Sequence, residues 1–252
     1  MRAIRPAIAL LLVCAPAVAG ERGADLAQAL AATRARIEAT DLRAGGRLVR
    51  VGGDGARTSY KLTIKSHWFP DGLRVLGEAT GPSAERTRFL LHMTAAGHTT
   101  IEVLGPGAKA AAELPYERWN QPVLGTDFSY EDMAEGQFFW KAQELLAPAK
   151  YGARDCLVVK SAPGGEDRSH YESVTSWVDS TIFYPVRVVK TLRGTGQQKE
   201  FTYLGLRQTS GVWSASQVEV KVEGKAGSSL LVIESGTEKA KLTRKDFDLA
   251  EE

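Results

Sequence analysis

The chain has 252 residues, 43% of them hydrophobic and 25% charged, with a formal net charge of +2. This composition is typical of a globular protein with a sizeable core and excludes a disordered chain or a coiled coil. The small net charge argues against a nucleic-acid partner, because such proteins need a marked basic excess.

Residues 1–19 have the pattern of a cleavable export signal. Two arginines precede an apolar run that is too short to span a bilayer, and Ala17-Val18-Ala19 is a small-x-small cleavage site. We therefore expect cleavage after Ala19 and a single mature domain over residues 20–252.

The two cysteines determine whether a lipid anchor or a disulfide is expected. Cys14 would be lipidated in a lipoprotein signal, but Val13 stands before it where such signals have Gly, Ala or Ser. Cleavage of the leader leaves only Cys156, so the exported protein has no internal disulfide. Cys156 lies in a strand-like run and is interpreted as a small buried hydrophobe rather than a reactive thiol.

Residues 24–39 are rich in alanine and predict an amphipathic helix. Leu26, Leu30 and Ile37 fall near one face. The opposite face is not strongly basic, which favours docking on the rest of the protein over binding at a membrane surface.

Two stretches, residues 42–104 and 154–235, have the pattern of short antiparallel strands. Apolar residues alternate with polar ones in each stretch, and Gly-rich or Pro-rich turns follow about every ten to thirteen residues. The clearest alternations are Tyr60, Leu62 and Ile64 in the first stretch and Val218, Val220 and Val222 in the second.

The middle segment between these stretches is rich in aromatic residues and has a helical composition. Ser129, with Asp132 three residues later, resembles a capping box, and residues 137–146 are predicted to form a helix that stops before Pro148. Strands, then helices, then strands predict a mainly β (α+β) fold in which the middle segment covers one face or one end of an antiparallel sheet or barrel.

The sequence has no arrangement typical of catalysis or metal binding. Its four histidines lack metal-ligand spacing, and no nucleophile motif is present. Ser169 and His170 are neighbours, but neighbours on a strand point to opposite faces. Asp127, Glu131 and Asp132 are better explained as helix caps than as paired catalytic carboxylates. We expect no catalytic residue, metal site or cofactor.

The candidate binding residues are apolar. They form either a solid core or the wall of a cavity inside a curved sheet. On the cavity interpretation, the residues lining it are Tyr60, Leu62, Phe89, Leu91, Met93, Trp119, Phe128, Phe138, Trp140, Trp177, Phe201, Tyr203 and Trp213.

Several motifs together resemble the outer-membrane lipoprotein-sorting proteins, whose fold is like that of the periplasmic carrier LolA. They are residues 125–133 (Gly-Thr-Asp-Phe-Ser-Tyr-Glu-Asp-Met), Tyr171 with Trp177-Val-Asp, and Tyr184-Pro-Val-Arg. Further matches follow at Lys199-x-Phe201, Gly211-Val-Trp213 and Phe247-x-Leu249.

The resemblance implies a half-open antiparallel barrel, with the N-terminal helix and central helices forming a lid. It also implies a periplasmic, non-enzymatic carrier that binds acyl chains of a lipoprotein or a free lipid, with an inner-membrane transport system as a partner. Two alternatives stay open: a sensor or adaptor that recognises an envelope lipid or protein and acts on a membrane partner, and an enzyme on a barrel scaffold.

Overall fold

The structure is a computed structural model that describes residues 17–165, 167–209 and 211–250. The predicted leader, residues 1–19, lies mainly outside the described residues and stays a prediction. Within these ranges, no helix is both long enough and apolar enough to cross a membrane.

The described residues form one α-helix, α1 (Ala17–Glu38), five short 3-10 turns and a set of antiparallel strands. The strands are β1 (Asp41–Gly52), β2 (Arg57–Phe69), β3 (Gly72–Thr80), β4 (Arg86–Met93), β5 (Thr99–Leu104), β6 (Ala112–Glu113), β7 (Ala142–Leu145), β8 (Ala149–Tyr151), β9 (Arg154–Ala162), β10 (Tyr171–Asp179), β11 (Pro185–Leu192), β12 (Gln198–Thr209), β13 (Val212–Val222) and β14 (Gly227–Glu238).

All strands belong to one open antiparallel sheet of 14 strands. Its order is β6-β5-β4-β3-β2-β1-β14-β13-β12-β11-β10-β9-β7, with β8 paired to β9. The first and last long strands, β1 and β14, therefore join the two halves, while β6 and β7 are the free edges. The predicted mainly β fold, with two strand-rich halves and an N-terminal helix, is confirmed.

The seam between β1 and β14 requires a close backbone approach. The register shifts between Gly45 and Gly46, and a Cβ atom at Gly46 would lie 1.9 Å from the carbonyl oxygen of Val232. Only glycine leaves space for this β-bulge, which increases the local twist where the halves meet.

Helix α1 packs through one face, as its pattern predicts. Ala29, Leu30, Thr33 and Ile37 are buried and recur at helical spacing. The helix contacts β2 and β3 in one half of the sheet and β7 and β9 in the other, so it bridges the two halves.

The crossing segment, residues 114–141, runs from edge strand β6 to edge strand β7. Its predicted central helices are wrong: the segment contains 3-10 turns at Tyr116–Arg118, Val123–Gly125, Tyr130–Met133 and Gly136–Phe139, and β7 replaces the end of the predicted helix. Its aromatic side chains are too close in sequence to share one helical face, so burying nearly all of them requires short turns instead.

One hydrophobic core joins the crossing segment to both halves of the sheet. Phe89 and Leu91 of β4 belong to the same buried cluster as Val174 of β10, Phe201 of β12 and Phe138 of the crossing segment. The predicted covering role of the middle segment is therefore confirmed, although its secondary structure differs.

A second, smaller core lies under the C-terminal segment, residues 239–250. Phe247 and Leu249 are buried against Phe69, Leu76 and Leu90, and Leu242 completes this cluster. The buried guanidinium of Arg88 donates hydrogen bonds to the backbone oxygens of Asp248 and Leu249. The segment is thus held by apolar packing and by bonds to its main chain.

We predict that Phe247→Ala lowers the free energy of unfolding by about 3 kcal/mol, because it removes a buried aromatic ring from the smaller core. Urea denaturation measures this change. Leu204→Ala, at a side chain that is 41% exposed, is the control and should cost less than about 1 kcal/mol. Equal losses in the two variants would contradict a packed C-terminal segment.

Candidate functional site

An apolar cavity of about 260 Å³ lies between α1, the crossing segment and both halves of the sheet. Helix α1 contributes Arg36 and Ile37, and the crossing segment contributes Phe128 and residues 132–135. Thr40 and Tyr184 lie beside strand ends, and the remaining wall consists of inward-facing strand residues: Leu42, Ile64, Ser66, Leu73, Val75, Phe89, Phe201, Tyr203, Val218, Leu231 and Ile233. The covering elements therefore leave part of the concave side unfilled.

Strand alternation produces this wall. In β2, Tyr60, Leu62, Ile64 and Ser66 point inward, while Thr63 is exposed on the other face. Several wall residues are only partly buried although they pack against the core, among them Ile64, Val218 and Leu231. Apolar side chains that keep accessible surface inside a protein provide a binding surface for an apolar ligand.

Polar groups gather at one side of the cavity. Arg36 of α1 forms an ion pair with Glu135 of the crossing segment, and its guanidinium carbon lies 4.7 Å from the centre of the Tyr184 ring. Burial alone would lower the pKa of Arg36, but the charge of Glu135 raises it above its ordinary value. Burial raises the pKa of Tyr184 to about 12 and that of Tyr203 well above its ordinary value. Both phenols therefore stay neutral.

The Asp132 cluster, which consists of Ser129, Asp132, Tyr171, Lys190 and Lys199, lies beside the cavity. The carboxylate of Asp132 is fully buried and lies 2.9 Å from Nζ of Lys190 and 3.1 Å from Nζ of Lys199. It also accepts hydrogen bonds from the Tyr171 hydroxyl at 2.7 Å and from the backbone N–H of Ser129 at 2.9 Å. The cluster joins the crossing segment to β10, β11 and β12.

The charges of this cluster compensate one another. Burial alone would raise the pKa of Asp132, but the two ammonium groups hold it well below its ordinary value. Burial and the charge of Asp132 raise the pKa of Tyr171, which therefore remains a hydrogen-bond donor. Because each lysine is more than nine-tenths buried, the loss of the carboxylate would leave two buried cations without their partner.

Glu131 makes a second connection next to this cluster. Its carboxylate accepts a hydrogen bond from Ser169 Oγ at 2.5 Å and lies 3.1 Å from Nδ1 of His170. Serine and histidine thus share one carboxylate, whereas nucleophilic catalysis requires the histidine to bond to the serine. Among the predicted caps, Asp132 forms the capping box with Ser129, while Glu131 serves this loop contact instead.

The predicted binding residues lie along the cavity, around a smaller space, in the protein interior, or away from the cavity. Phe89, Phe128, Phe201 and Tyr203 line the cavity. Leu91, Trp119 and Trp140 line a separate space of only about 30 Å³, roughly the volume of one water molecule. Tyr60, Leu62, Met93 and Phe138 are buried in the protein interior.

Trp177 and Trp213 are placed away from the cavity. Strand alternation alone would place Tyr171 and Trp177, six residues apart, on one face of β10, but a register shift between Tyr171 and Ser173 puts them on opposite faces. Trp177 is half-buried beneath the guanidinium of Arg187, 4.2 Å from its ring centre. In β13, Trp213 is an odd number of residues from the cavity residue Val218 and so faces the other side.

From the sequence, Asp132 was identified only as a cap, and Arg36, Glu135 and the two lysines of the site were missed. Lys190 offered a signal, because it follows Val186 and Val188 at the inward positions of β11, where a lysine is unusual. Arg36 and Glu135 offered none, because they come from different elements and are 99 positions apart.

Comparisons with known proteins agree on the fold. A family model with the description "uncharacterized protein" matches residues 76–251. A domain assigned to outer membrane lipoprotein sorting, from Vibrio parahaemolyticus, superposes with a TM-score of 0.79 at 20% identity, covering 88% of this chain and 95% of that one. A LolA superfamily protein from Nitrosomonas europaea gives 0.69 at 18% identity, covering 88% and 97%.

A DUF1329 family protein from Desulfovibrio piger gives a TM-score of 0.75 at 13% identity, covering 90% of this chain and 98% of that one. No protein with a curated description matches the chain. At these identities the structural matches establish a LolA-like fold.

We predict that Asp132→Asn lowers the free energy of unfolding by about 3–5 kcal/mol, because two buried lysines lose their shared counter-charge. Urea denaturation at neutral pH measures the loss. Glu102→Gln, at an exposed position on β5, is the matched control and should change it by less than about 0.5 kcal/mol.

Acid titration provides an independent check of the same cluster. A carboxyl whose folded pKa is depressed contributes stability above its unfolded pKa of about 3.9, and this contribution is lost as the pH falls towards the folded pKa. The Asn variant should therefore lose less stability than the wild type below about pH 4. Identical acid dependence in both proteins would contradict the assigned role of Asp132.

Proposed function

The chain belongs to the uncharacterized protein family whose model spans residues 76–251, and we propose that this LolA-like protein is a periplasmic carrier of acyl chains. Its cargo is an acylated lipoprotein or a free lipid, held without covalent chemistry. The observation that supports the proposal most directly is the apolar cavity beneath the crossing segment.

Burial of the acyl chain in this cavity provides the free energy of binding. Each methylene group that leaves water contributes about 0.8 kcal/mol, so a chain segment of a few carbons is held appreciably in an apolar wall. Ile64, Val218 and Leu231 provide such a wall because they are not completely covered in the empty protein. A carrier of this kind needs no catalytic group, metal or cofactor.

Entry of cargo requires movement of α1 relative to the crossing segment. Among the described residues, three polar contacts join them: the Arg36–Glu135 ion pair, a hydrogen bond of 2.6 Å from Nε of Arg34 to the backbone oxygen of Phe138, and the Arg34 guanidinium 5.7 Å from the centre of the Phe139 ring. Arg36 and Glu135 keep 19% and 22% of their side-chain surface accessible, so their ion pair can open without removing an apolar contact from the core. In this proposal an inner-membrane transport system supplies or accepts the cargo.

A sensor or adaptor function receives less support. It predicts an exposed apolar patch for a protein partner. Among the side chains that the structure describes, Leu204 is the only large hydrophobic residue that is exposed, and one residue does not make a patch.

The first test is native mass spectrometry with lipid extraction, applied to mature protein purified from a periplasmic fraction. We expect a co-purified lipid or acylated peptide, which identifies the cargo. Protein that is empty and also fails to take up a fluorescent fatty acid would contradict the carrier proposal.

We predict that Ile64→Trp weakens binding of a fluorescent fatty acid at least about tenfold, because the larger side chain occupies the cavity. Thr63→Trp places the same ring on the exposed face of the same strand and should leave affinity within about twofold. Thermal denaturation of each variant controls for folding. If the two substitutions weaken binding equally, the ligand does not occupy this cavity.

A further inference from the structure

The cavity has a single cationic side chain among its described lining residues, and that side chain is incompletely satisfied. Arg36 donates from Nη2 to Glu135, but its Nε is buried and has no hydrogen-bond acceptor. A buried donor without an acceptor is unfavourable, so Nε of Arg36 is a favourable position for an acceptor atom of a ligand.

Two tyrosines line the cavity together with Arg36, and the centre of the Tyr184 ring lies 4.7 Å from the guanidinium carbon of this arginine. The Tyr184 hydroxyl accepts a hydrogen bond from the backbone N–H of Ala215 at 3.3 Å, which leaves its own proton free to donate. Tyr203 interacts electrostatically with both Arg36 and Glu135, and its raised pKa keeps its proton in place. The guanidinium and both phenols can therefore donate, and Glu135 is the one carboxylate among these four groups.

Cavity volume limits the number of chains. A cavity of about 150 Å³ is known to hold benzene, so about 260 Å³ accommodates on the order of ten carbon atoms. That space suits one acyl chain. The three chains of a triacylated lipoprotein exceed it.

From these observations we propose that the preferred ligand is a single-chain lipid with an anionic head group, a carboxylate or a phosphate, which binds Arg36 in place of Glu135. This inference rests on the proposed carrier function and deepens it. A two-oxygen head group can accept from Nε and Nη2 together, which satisfies the unpaired donor as well as replacing the ion pair.

Replacement of Glu135 by the head group also links ligand binding to movement of the crossing segment. Glu135 belongs to the crossing segment, so an anion that takes its place on Arg36 removes one of the polar contacts between that segment and α1. A neutral alcohol cannot compete with a carboxylate for the guanidinium and leaves the contact intact.

The test compares four probes by isothermal titration calorimetry on the mature protein: dodecanoate, dodecyl phosphate, dodecanol and a synthetic triacylated lipopeptide. We expect the two anions to bind at least about tenfold more tightly than dodecanol, and the lipopeptide to bind more weakly than either anion. Preference between dodecanoate and dodecyl phosphate identifies the head group.

Three variants make the assignment specific. Arg36→Met should abolish the tenfold preference for the anions over dodecanol, whereas Glu135→Gln should strengthen anion binding severalfold because it frees the guanidinium. Arg47→Met, which disrupts an exposed ion pair between Arg47 of β1 and Glu234 of β14, is the control and should leave the preference unchanged.

The possible failures are distinguishable. Equal affinity for dodecanol and dodecanoate in the wild type, or tightest binding of the lipopeptide, overturns the head-group inference while acyl-chain binding stands. Binding of none of the four probes overturns the carrier function and this inference together. If Arg36→Met does not fold, unchanged anion affinity in Glu135→Gln still contradicts the proposed exchange.

Discussion

The buried carboxylate of Asp132 holds the crossing segment against the concave side of the sheet. It binds two lysines and a tyrosine from three adjacent strands, and it also caps the turn to which it belongs. Buried ion pairs add little net stability compared with apolar packing, but they specify one arrangement because any displacement leaves a charge without its partner. The position of the crossing segment, and therefore the shape of the cavity between it and the sheet, depends on this interaction.

The cavity lies where α1 and the crossing segment, which both cover the concave side of the sheet, fail to fill the space between them. The aromatic residues of the crossing segment fill the side nearest the edge strands, where Trp119 and Trp140 leave only about 30 Å³. Helix α1 covers the other side with small residues such as Ala29 and Thr33, and between the two coverings about 260 Å³ stays empty. The filled part of the interior and the cavity thus lie on the same side of the sheet, and the Asp132 cluster separates them.

The opposite side of the sheet is organised differently. The C-terminal segment closes a small core over β2, β3 and β4, and Arg88 secures it through backbone oxygens rather than through paired side chains. The β1–β14 seam joins the halves through a bulge that only glycine permits at position 46. These features fix the sheet from the side opposite α1 and the crossing segment.

Local periodicity in the sequence was sufficient to predict the strand-rich halves, the amphipathic helix α1, and the apolar residues that cover the concave face. A repeat of two or of about 3.6 residues records which face of an element is buried, and that information is local.

Tertiary structure alone decided the rest. The crossing segment forms 3-10 turns instead of helices because its aromatics must reach a curved surface, and a bulge in β10 turns Trp177 away from Tyr171. Asp132 and Lys190 meet across 58 positions of sequence. No periodic pattern records such distant pairs, nor whether the apolar faces that meet inside a sheet leave a void, because both depend on how complete elements pack together.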